Sequence, residues 1–248
     1  MSSVLILAFL FFIGCILGWG IELFFRRFFS KNNPERKWIN PGFLTGPWLP
    51  IYGIGLIGMY SISEILGQQE MIGIRWADTG IVLLLMTIVM TVIELVAGLI
   101  FTKFFNMKLW DYSAEKLNYK GMICPKFSVM WGLLGCFYYF VINPYVLDGI
   151  IWLSQHLTFS FFIGMFFGVF IVDVCYSLQL ANKFRQFADE NDIVIRYEEL
   201  KNQMAQRREE QKEKARFILA FRTEETMRSH LERYRDVLQK NNYRDNES

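Results

Sequence analysis

Residues 4–25 read VLILAFLFFIGCILGWGIELFF, an apolar stretch that contains a single charged residue, Glu22. A helix that crosses a bilayer needs roughly 20 such residues in a row. The stretch is too long for the core of a signal peptide, no basic residue precedes it, and no small-residue cleavage site follows it. We therefore predict that it is a retained transmembrane helix.

Four further apolar runs follow this first one. The chain of 248 residues is 53% hydrophobic, 17% aromatic and only 20% charged, which is too apolar for an ordinary soluble domain. We predict an all-α polytopic membrane helical bundle. Its five transmembrane helices are expected at residues 4–25, 48–66, 79–101, 127–145 and 157–178.

Basic residues alternate between the connections of these spans. The first and third connections are rich in Lys and Arg, the second contains only Arg75, and the fourth, residues 146–156, contains none. Connections that carry Lys and Arg stay in the cytoplasm. The pattern predicts a multi-pass protein of the plasma membrane with its N-terminus outside and its C-terminus in the cytoplasm.

The composition changes abruptly after residue 180. We predict a transmembrane domain at 1–180 and a charged, helical, cytoplasmic tail at 181–248. Apolar residues recur at helical spacing at Leu200 and Met204 and again in a coiled-coil-like stripe. That stripe comprises Met227, Leu231, Tyr234 and Leu238. The tail is either a solvated helix or one that pairs with itself or a partner, and its nearly balanced charge argues against nucleic acid.

The chain also repeats itself weakly. GIELFFRRFFSK (20–31) resembles VIELVAGLIFTK (92–103), and PGFLTGPWLPIYG (41–53) resembles KGMICPKFSVMWG (120–132). Each unit reads as span, basic connection, Gly-Pro element and span, in the same direction through the membrane. This pattern predicts two parallel helical-hairpin repeats plus one additional span.

The Gly-Pro elements stand where the second and fourth spans begin. They contain Gly42, Gly46, Pro47 and Tyr52 in the first repeat, and Gly121 and Pro125 in the second. Several prolines within ten residues hold the chain extended or turned. We predict a loop packed between helices in both repeats; the alternative is that the prolines only begin the helices.

Three acids lie inside apolar runs, at Glu22, Glu94 and Asp173. An ionised carboxylate there is costly unless it is paired, neutralised or hydrated. One interpretation is a polar cluster in the cytoplasmic half of the bundle that binds a cation, a proton or a cationic headgroup. The other is hydrogen bonding that holds helices together. Two pairs of glycines, Gly14/Gly18 and Gly164/Gly168, are typical of close helix packing within the chain.

No pattern indicates a catalytic, metal or cofactor site. The cysteines lack a CxxC pair, and His156 and His230 are isolated. An enzyme that acts on lipid headgroups remains an alternative because acids lie near the inner interface. No nucleophile–base pair supports it, so we expect a protein that is not an enzyme.

The stretches GWGIELFFRR, NPGFLTGPWLPIYGIG and LWDYSAEKLNYKGMICPKFSVMWGLLG together resemble the ABC-transporter type IV (CmpB-like) family of bacterial membrane permease-like proteins. Trp110, Asp111 and Tyr112 belong to the third stretch. The resemblance covers roughly residues 18–180 and leaves the charged tail outside. It implies a multi-spanning permease and carries over no catalytic residue.

The chain has no G-x-x-x-x-G-K-[ST] phosphate-binding loop. A permease of this kind would require a separate ATPase subunit, which would dock on connections 26–40 and 103–126. A second permease copy would complete the pathway. The alternative function is a membrane-anchored scaffold or regulatory adaptor that acts through its cytoplasmic tail.

Overall fold

The architecture is taken from a computed structural model, which describes residues 2–30, 33, 35–67, 69, 72–190, 194–207 and 211. The helices are α1 (Ser3–Phe28), α2 (Pro50–Leu66), α3 (Arg75–Phe105), α4 (Pro125–Phe137), α5 (Asn143–Gln155) and α6 (Ser160–Glu190). Two short strands, β1 (Met107–Lys108) and β2 (Ile195–Arg196), pair in parallel. The chain divides into two compact units, Met1–Leu200 and Lys201–Ser248.

Four helical stretches are long and apolar enough to cross a membrane. They are Ser3–Phe28, Arg75–Phe105, Pro125–Gln155 and Leu157–Glu190, and the shorter apolar helix Pro50–Leu66 supplies the remaining predicted span. Large apolar side chains such as Phe24, Val172 and Leu84 point outward and are more than half exposed. The prediction of an all-α polytopic membrane protein is confirmed.

The structure differs from the prediction at the fourth connection. We predict a loop at 146–156, yet the chain stays helical to Gln155 and turns only at His156. Pro144 should interrupt the helix because it lacks an N–H and crowds the preceding turn. A π-helical turn at Tyr138–Ile142 absorbs this defect, and the Tyr138 hydroxyl donates to the Asn143 side chain at 2.9 Å.

The first two helices approach each other most closely at their glycines. A Cβ placed on Gly14 would lie 2.9 Å from the Cα of Gly53, and one on Gly53 would lie 2.6 Å from the sulfur of Cys15. A Cβ on Gly18 would fall within the ring of Tyr52. The backbones of α1 and α2 therefore touch directly, as small residues allow in membrane helices. By contrast, no atom of the described residues lies within 4 Å of such a Cβ at Gly164 or Gly168.

The core of the bundle lies where α2, α3 and the α4–α5 stretch meet α1. Leu10, Met86, Met90 and Leu153 are almost fully buried there. Unbranched methionine side chains fill irregular gaps between helices. This packing holds the helices that carry the intramembrane acids.

The first unit extends beyond the predicted domain boundary. The predicted boundary at 180/181 falls inside α6, and the first unit continues through β2 to Leu200. In the second unit the described residues, 201–207 and 211, are helical. The predicted stripe at Met227, Leu231, Tyr234 and Leu238 lies outside the described residues.

We expect Gly14→Ala and Gly53→Ala to lower the free energy of unfolding by about 1–3 kcal/mol each, because the added methyl groups overpack the α1–α2 contact. Thermal unfolding of the purified protein in detergent measures the effect. Gly164→Ala and Gly168→Ala add the same methyl group at open positions and should leave the midpoint unchanged. Equal effects at both pairs of glycines would contradict the proposed contact.

Candidate functional site

Glu22 lies in the last two turns of α1 and is held by two donors. The Tyr52 hydroxyl on α2 donates to its Oε2 at 3.1 Å. The Arg26 guanidinium, one turn further along α1, donates to Oε1 at 3.0 Å. Because Gly18 has no side chain, the Tyr52 ring can cross α1 and reach the carboxylate one turn away.

Glu94 occupies the corresponding part of α3 and is only 3% exposed. The Tyr112 hydroxyl donates to its Oε1 at 2.9 Å, and the indole nitrogen of Trp131 donates to its Oε2 at 3.0 Å. The Tyr112 ring also stacks on Phe127, with 4.2 Å between ring centroids. The signature stretch 110–112 thus reaches into the bundle and caps an intramembrane acid.

The two carboxylates are equivalent in the sequence repeat. The alignment places Glu22 against Glu94 and Tyr52 against Trp131. In both halves an acid on the first helix accepts a hydrogen bond from an aromatic donor on the second. The Tyr52 and Trp131 rings contact each other edge to face, with 5.5 Å between centroids. We call the two acids Glu22 and Glu94, together with the Tyr52 and Trp131 side chains that donate to them, the carboxylate pair.

The two halves of the carboxylate pair differ in charge. Glu22 has a cation, Arg26, whereas Glu94 has only neutral donors among the described residues. Burial raises the pKa of Tyr112 well above its usual range, and the negative charges of Glu94 and Glu22 raise it further. Tyr112 therefore stays protonated and donates. Among the described residues no cation forms an ion pair with Glu94, so a charge on its carboxylate would have no counter-charge in contact.

Asp173 on α6 does not join the carboxylate pair by any described contact. Its carboxylate accepts from the backbone N–H groups of Thr45 and Gly46 at 3.0 and 2.9 Å and from the indole nitrogen of Trp48 at 2.8 Å. Ser177 donates to it at 3.2 Å. These donors belong to the first Gly-Pro element, so Asp173 fastens that loop to α6.

The first Gly-Pro element is packed between helices. Leu49 donates its N–H to the carbonyl of Cys15 at 3.0 Å, and the Gly42 N–H donates to Asn40 at 3.1 Å. Helix α2 begins at Pro50 instead of at Pro47, because the Trp48 N–H donates to the carbonyl of Gly46 and the Leu49 N–H donates to the carbonyl of Cys15. Pro47 lies in the bend before the helix.

The second Gly-Pro element has a different internal structure. Gly121 has a φ of +72°, and its N–H donates to Asn118 at 2.9 Å, while Pro125 occupies the first turn of α4. The indole nitrogen of Trp110 donates to the carbonyl of Met122 at 2.8 Å. A Cβ at Gly121 would clash with Asp111, and its left-handed backbone also favours glycine.

Asp111 holds this loop together electrostatically. Although partial burial acts to raise the pKa of Asp111, hydrogen bonds from Ser113 and Lys108 lower it overall. Lys108 lies 3.2 Å from the carboxylate. Asp111 is thus a loop residue that joins the strand β1 to the turn that follows.

The sequence did not predict the contacts of residues 194–200 with the loops that follow α1 and α3. β2 pairs with β1, and Arg196 approaches Asp111 at 3.6 Å. Tyr197 packs on Phe43, with 5.5 Å between centroids, and burial raises the pKa of Tyr197 to about 12. Glu198 pairs with Arg26 at 3.1 Å. The β-branched run at 193–195 is the signal that predicts a strand here.

The described residues contain no group of three His, Cys, Asp or Glu side chains that could hold a metal ion. Their free cysteines lie apart: Cys15 and Cys124 are buried in separate parts of the bundle. The chemistry on which the site can draw is therefore that of carboxylates, phenols, indoles and one guanidinium.

We expect Asp173→Asn to destabilise the protein by about 2 kcal/mol, since an amide replaces charge-assisted acceptors and directs its NH₂ group toward N–H donors. Thermal unfolding in detergent measures the loss. Asp148→Asn, on α5, changes an acid that has no described hydrogen bond and is the matched control. A loss no larger at 173 than at 148 would show that Asp173 does not anchor the loop.

Comparisons with known proteins bear on the whole membrane part. A family model described as "Putative ABC-transporter type IV" matches residues 9–178. No curated protein and no solved structure matches the chain. The matched region includes all three intramembrane acids, both Gly-Pro elements and the signature 110–112, and it covers more than half of the chain. The chain therefore belongs to the family described as "Putative ABC-transporter type IV" and is a multi-pass membrane protein.

Proposed function

We propose that the protein is a permease subunit that carries a substrate through the membrane with energy from a separate ATPase. The observation that supports this best is the carboxylate pair, in which Glu94 is 3% exposed and meets only neutral donors among the described residues. Uncompensated acids within membrane helices are typical of substrate and ion pathways. Family membership points in the same direction.

Glu94 is the residue we assign to the transported species. A proton or a cationic group would bind to this carboxylate, whereas Glu22 already forms an ion pair with Arg26. Tyr112 connects Glu94 to the loop that follows α3, so a movement of that loop would change the donors of the carboxylate. In our proposal this loop faces the cytoplasm, as the distribution of basic residues predicts, and receives the ATPase.

The chain itself performs no catalysis in this proposal. ATP would be hydrolysed by the partner, because the sequence has no phosphate-binding loop of the P-loop type. The surface of β1 and the loop 106–124 offers Lys116 and Lys120, which are exposed, for contact with that partner. A second copy of the chain would complete the pathway if the described helices provide only half of it.

The test begins with the tagged full chain, purified from native membranes in a mild detergent and reconstituted in proteoliposomes. We expect an ATPase subunit to co-purify and to hydrolyse ATP. Glu94→Gln should retain that partner yet lower ATP hydrolysis roughly tenfold, as expected when one charged interaction is lost. The matched control is Glu64→Gln, an exposed acid on α2.

Two results would refute the permease proposal. One is a repeated failure to recover any ATPase from native membranes. The other is a Glu94→Gln variant that is as active as the Glu64→Gln control, which would mean that Glu94 serves only to hold helices together.

A second candidate function, a membrane-anchored regulatory adaptor, is favoured by the contacts of residues 194–200. This segment is tied to the loop after α3 through β2 and Arg196, and to the first Gly-Pro element through Tyr197. Glu198 joins it to Arg26 of α1. The root of the tail is therefore fixed to both repeats and suited to transmit a signal.

Deletion of residues 201–248 tests the adaptor function. It removes the second unit and keeps the contacts of 194–200. If the chain is an adaptor, the deletion should abolish recovery of cytosolic partners while membrane insertion stays normal, because the described membrane-spanning helices all belong to the first unit. Full partner recovery without the tail would refute it.

A further inference from the structure

Arg27, at the cytoplasmic end of α1, has an incomplete set of hydrogen bonds. Its guanidinium lies over the ring of Trp38, 4.2 Å from the centroid, and 5.6 Å from that of Phe28. Among the described residues, its Nε is the buried side-chain nitrogen that lacks an acceptor. A guanidinium is a fork of donors, and buried donors without acceptors are costly.

A second guanidinium is brought to the same place by a shaped loop. Asn33 is 7% exposed and donates to the carbonyls of Arg26 and Lys37, at 3.2 and 2.8 Å. Arg36 follows with a φ of +54°, an uncommon backbone for a residue other than glycine. Its Nη1 donates to the carbonyl of Arg27 at 3.2 Å. The Arg36 side chain therefore lies against the backbone of Arg27, at the end of the helix that carries the Arg27 side chain.

Neither of these arginines has a carboxylate partner among the described residues. Arg26, the neighbour of Arg27, forms ion pairs with Glu22 and Glu198, and Lys37 forms an ion pair with Glu35. Positive charge is thus left over at Arg27 and Arg36 alone in this connection, as far as the structure describes it. Two guanidinium groups at one helix end that lack a carboxylate partner among the described residues are suitable donors for a phosphate.

The surface beside the two arginines is apolar and aromatic. Phe24, Phe28 and Trp38 contact one another and are each more than half exposed. Phe24 and Phe28 lie on the outer face of a helix that is long and apolar enough to span a membrane. Trp is enriched where the headgroups begin. A ligand bound here has a phosphate at one end and hydrocarbon at the other.

We propose that Arg27 and Arg36 bind the phosphate of an anionic phospholipid, whose acyl chains lie on Phe24, Phe28 and Trp38. The site shares no residue with the carboxylate pair and does not rest on the permease proposal. A soluble phosphate would use the same guanidinium groups but would gain nothing from the aromatic surface. Anionic lipids are attracted to clusters of Lys and Arg beside membrane helices.

The experiment measures binding of phosphatidylglycerol, phosphatidylcholine and inorganic phosphate to the purified full chain in detergent, by thermal stabilisation and by titration. We expect phosphatidylglycerol to bind and to raise the unfolding midpoint, and the other two to do so at least tenfold more weakly. Arg27→Gln and Arg36→Gln should each weaken phosphatidylglycerol binding roughly tenfold, as the loss of a charge-assisted hydrogen bond implies.

Two further variants separate a built site from general attraction. Lys103→Gln removes an exposed positive charge from the last turn of α3 and should leave phosphatidylglycerol binding unchanged. Arg27→Lys keeps the charge but loses the planar fork over Trp38, and it should still weaken binding several-fold. If Arg27→Gln fails to fold, Arg36→Gln, at an exposed position, carries the test.

Three results would overturn the proposal. Equal binding of phosphatidylcholine would remove the role of charge, and equal binding of inorganic phosphate would make this a site for a soluble anion. A loss at Lys103→Gln as large as that at Arg36→Gln would show attraction to the whole basic surface instead of a site.

Discussion

A carboxylate among apolar helices needs hydrogen-bond donors from its own protein, because the hydrocarbon around it supplies none. Three acids in this fold have that need, and each meets it with donors from another part of the chain. Glu22 and Glu94 recruit aromatic donors from the next helix, and Asp173 recruits a whole loop. Each acid therefore ties its helix to another part of the chain, and two of these ties, at Glu94 and Asp173, join a helix to a loop.

Close packing and hydrogen bonding support each other at the α1–α2 contact. Gly14 and Gly53 let the backbones touch, and the space above Gly18 admits the ring of Tyr52, which then reaches Glu22. In the second repeat the additional donor to the acid is of another kind. Tyr112, from a loop, donates to Glu94, and no arginine corresponds to Arg26. The two predicted repeats thus share one kind of hydrogen bond, from an aromatic donor to an acid, and differ in that only Glu22 has an arginine partner among the described residues.

The sequence predicts much of this because its signals are local. Apolar length predicts the spans, and the pairing of Glu22 with Arg26 follows from helical spacing. Contacts between residues that are distant in the sequence are not predicted. Examples are the hydrogen bonds of Asp173 with Thr45 and Gly46, and that of Tyr112 with Glu94. Pro144 does not end the helical stretch, because the π-helical turn that precedes it accommodates the missing N–H. Residues 194–200 are overlooked because a two-residue strand carries almost no periodic signal.

The edge-to-face contact between Tyr52 and Trp131 has a mechanical consequence. Each ring donates to one acid and rests against the other ring, so neither has room to rotate unless its neighbour yields. In a tightly packed interior, such coupled side chains change state together instead of one at a time. A change in the donor of one acid would therefore be passed to the donor of the other, so the two carboxylates are mechanically linked although they lie on different helices.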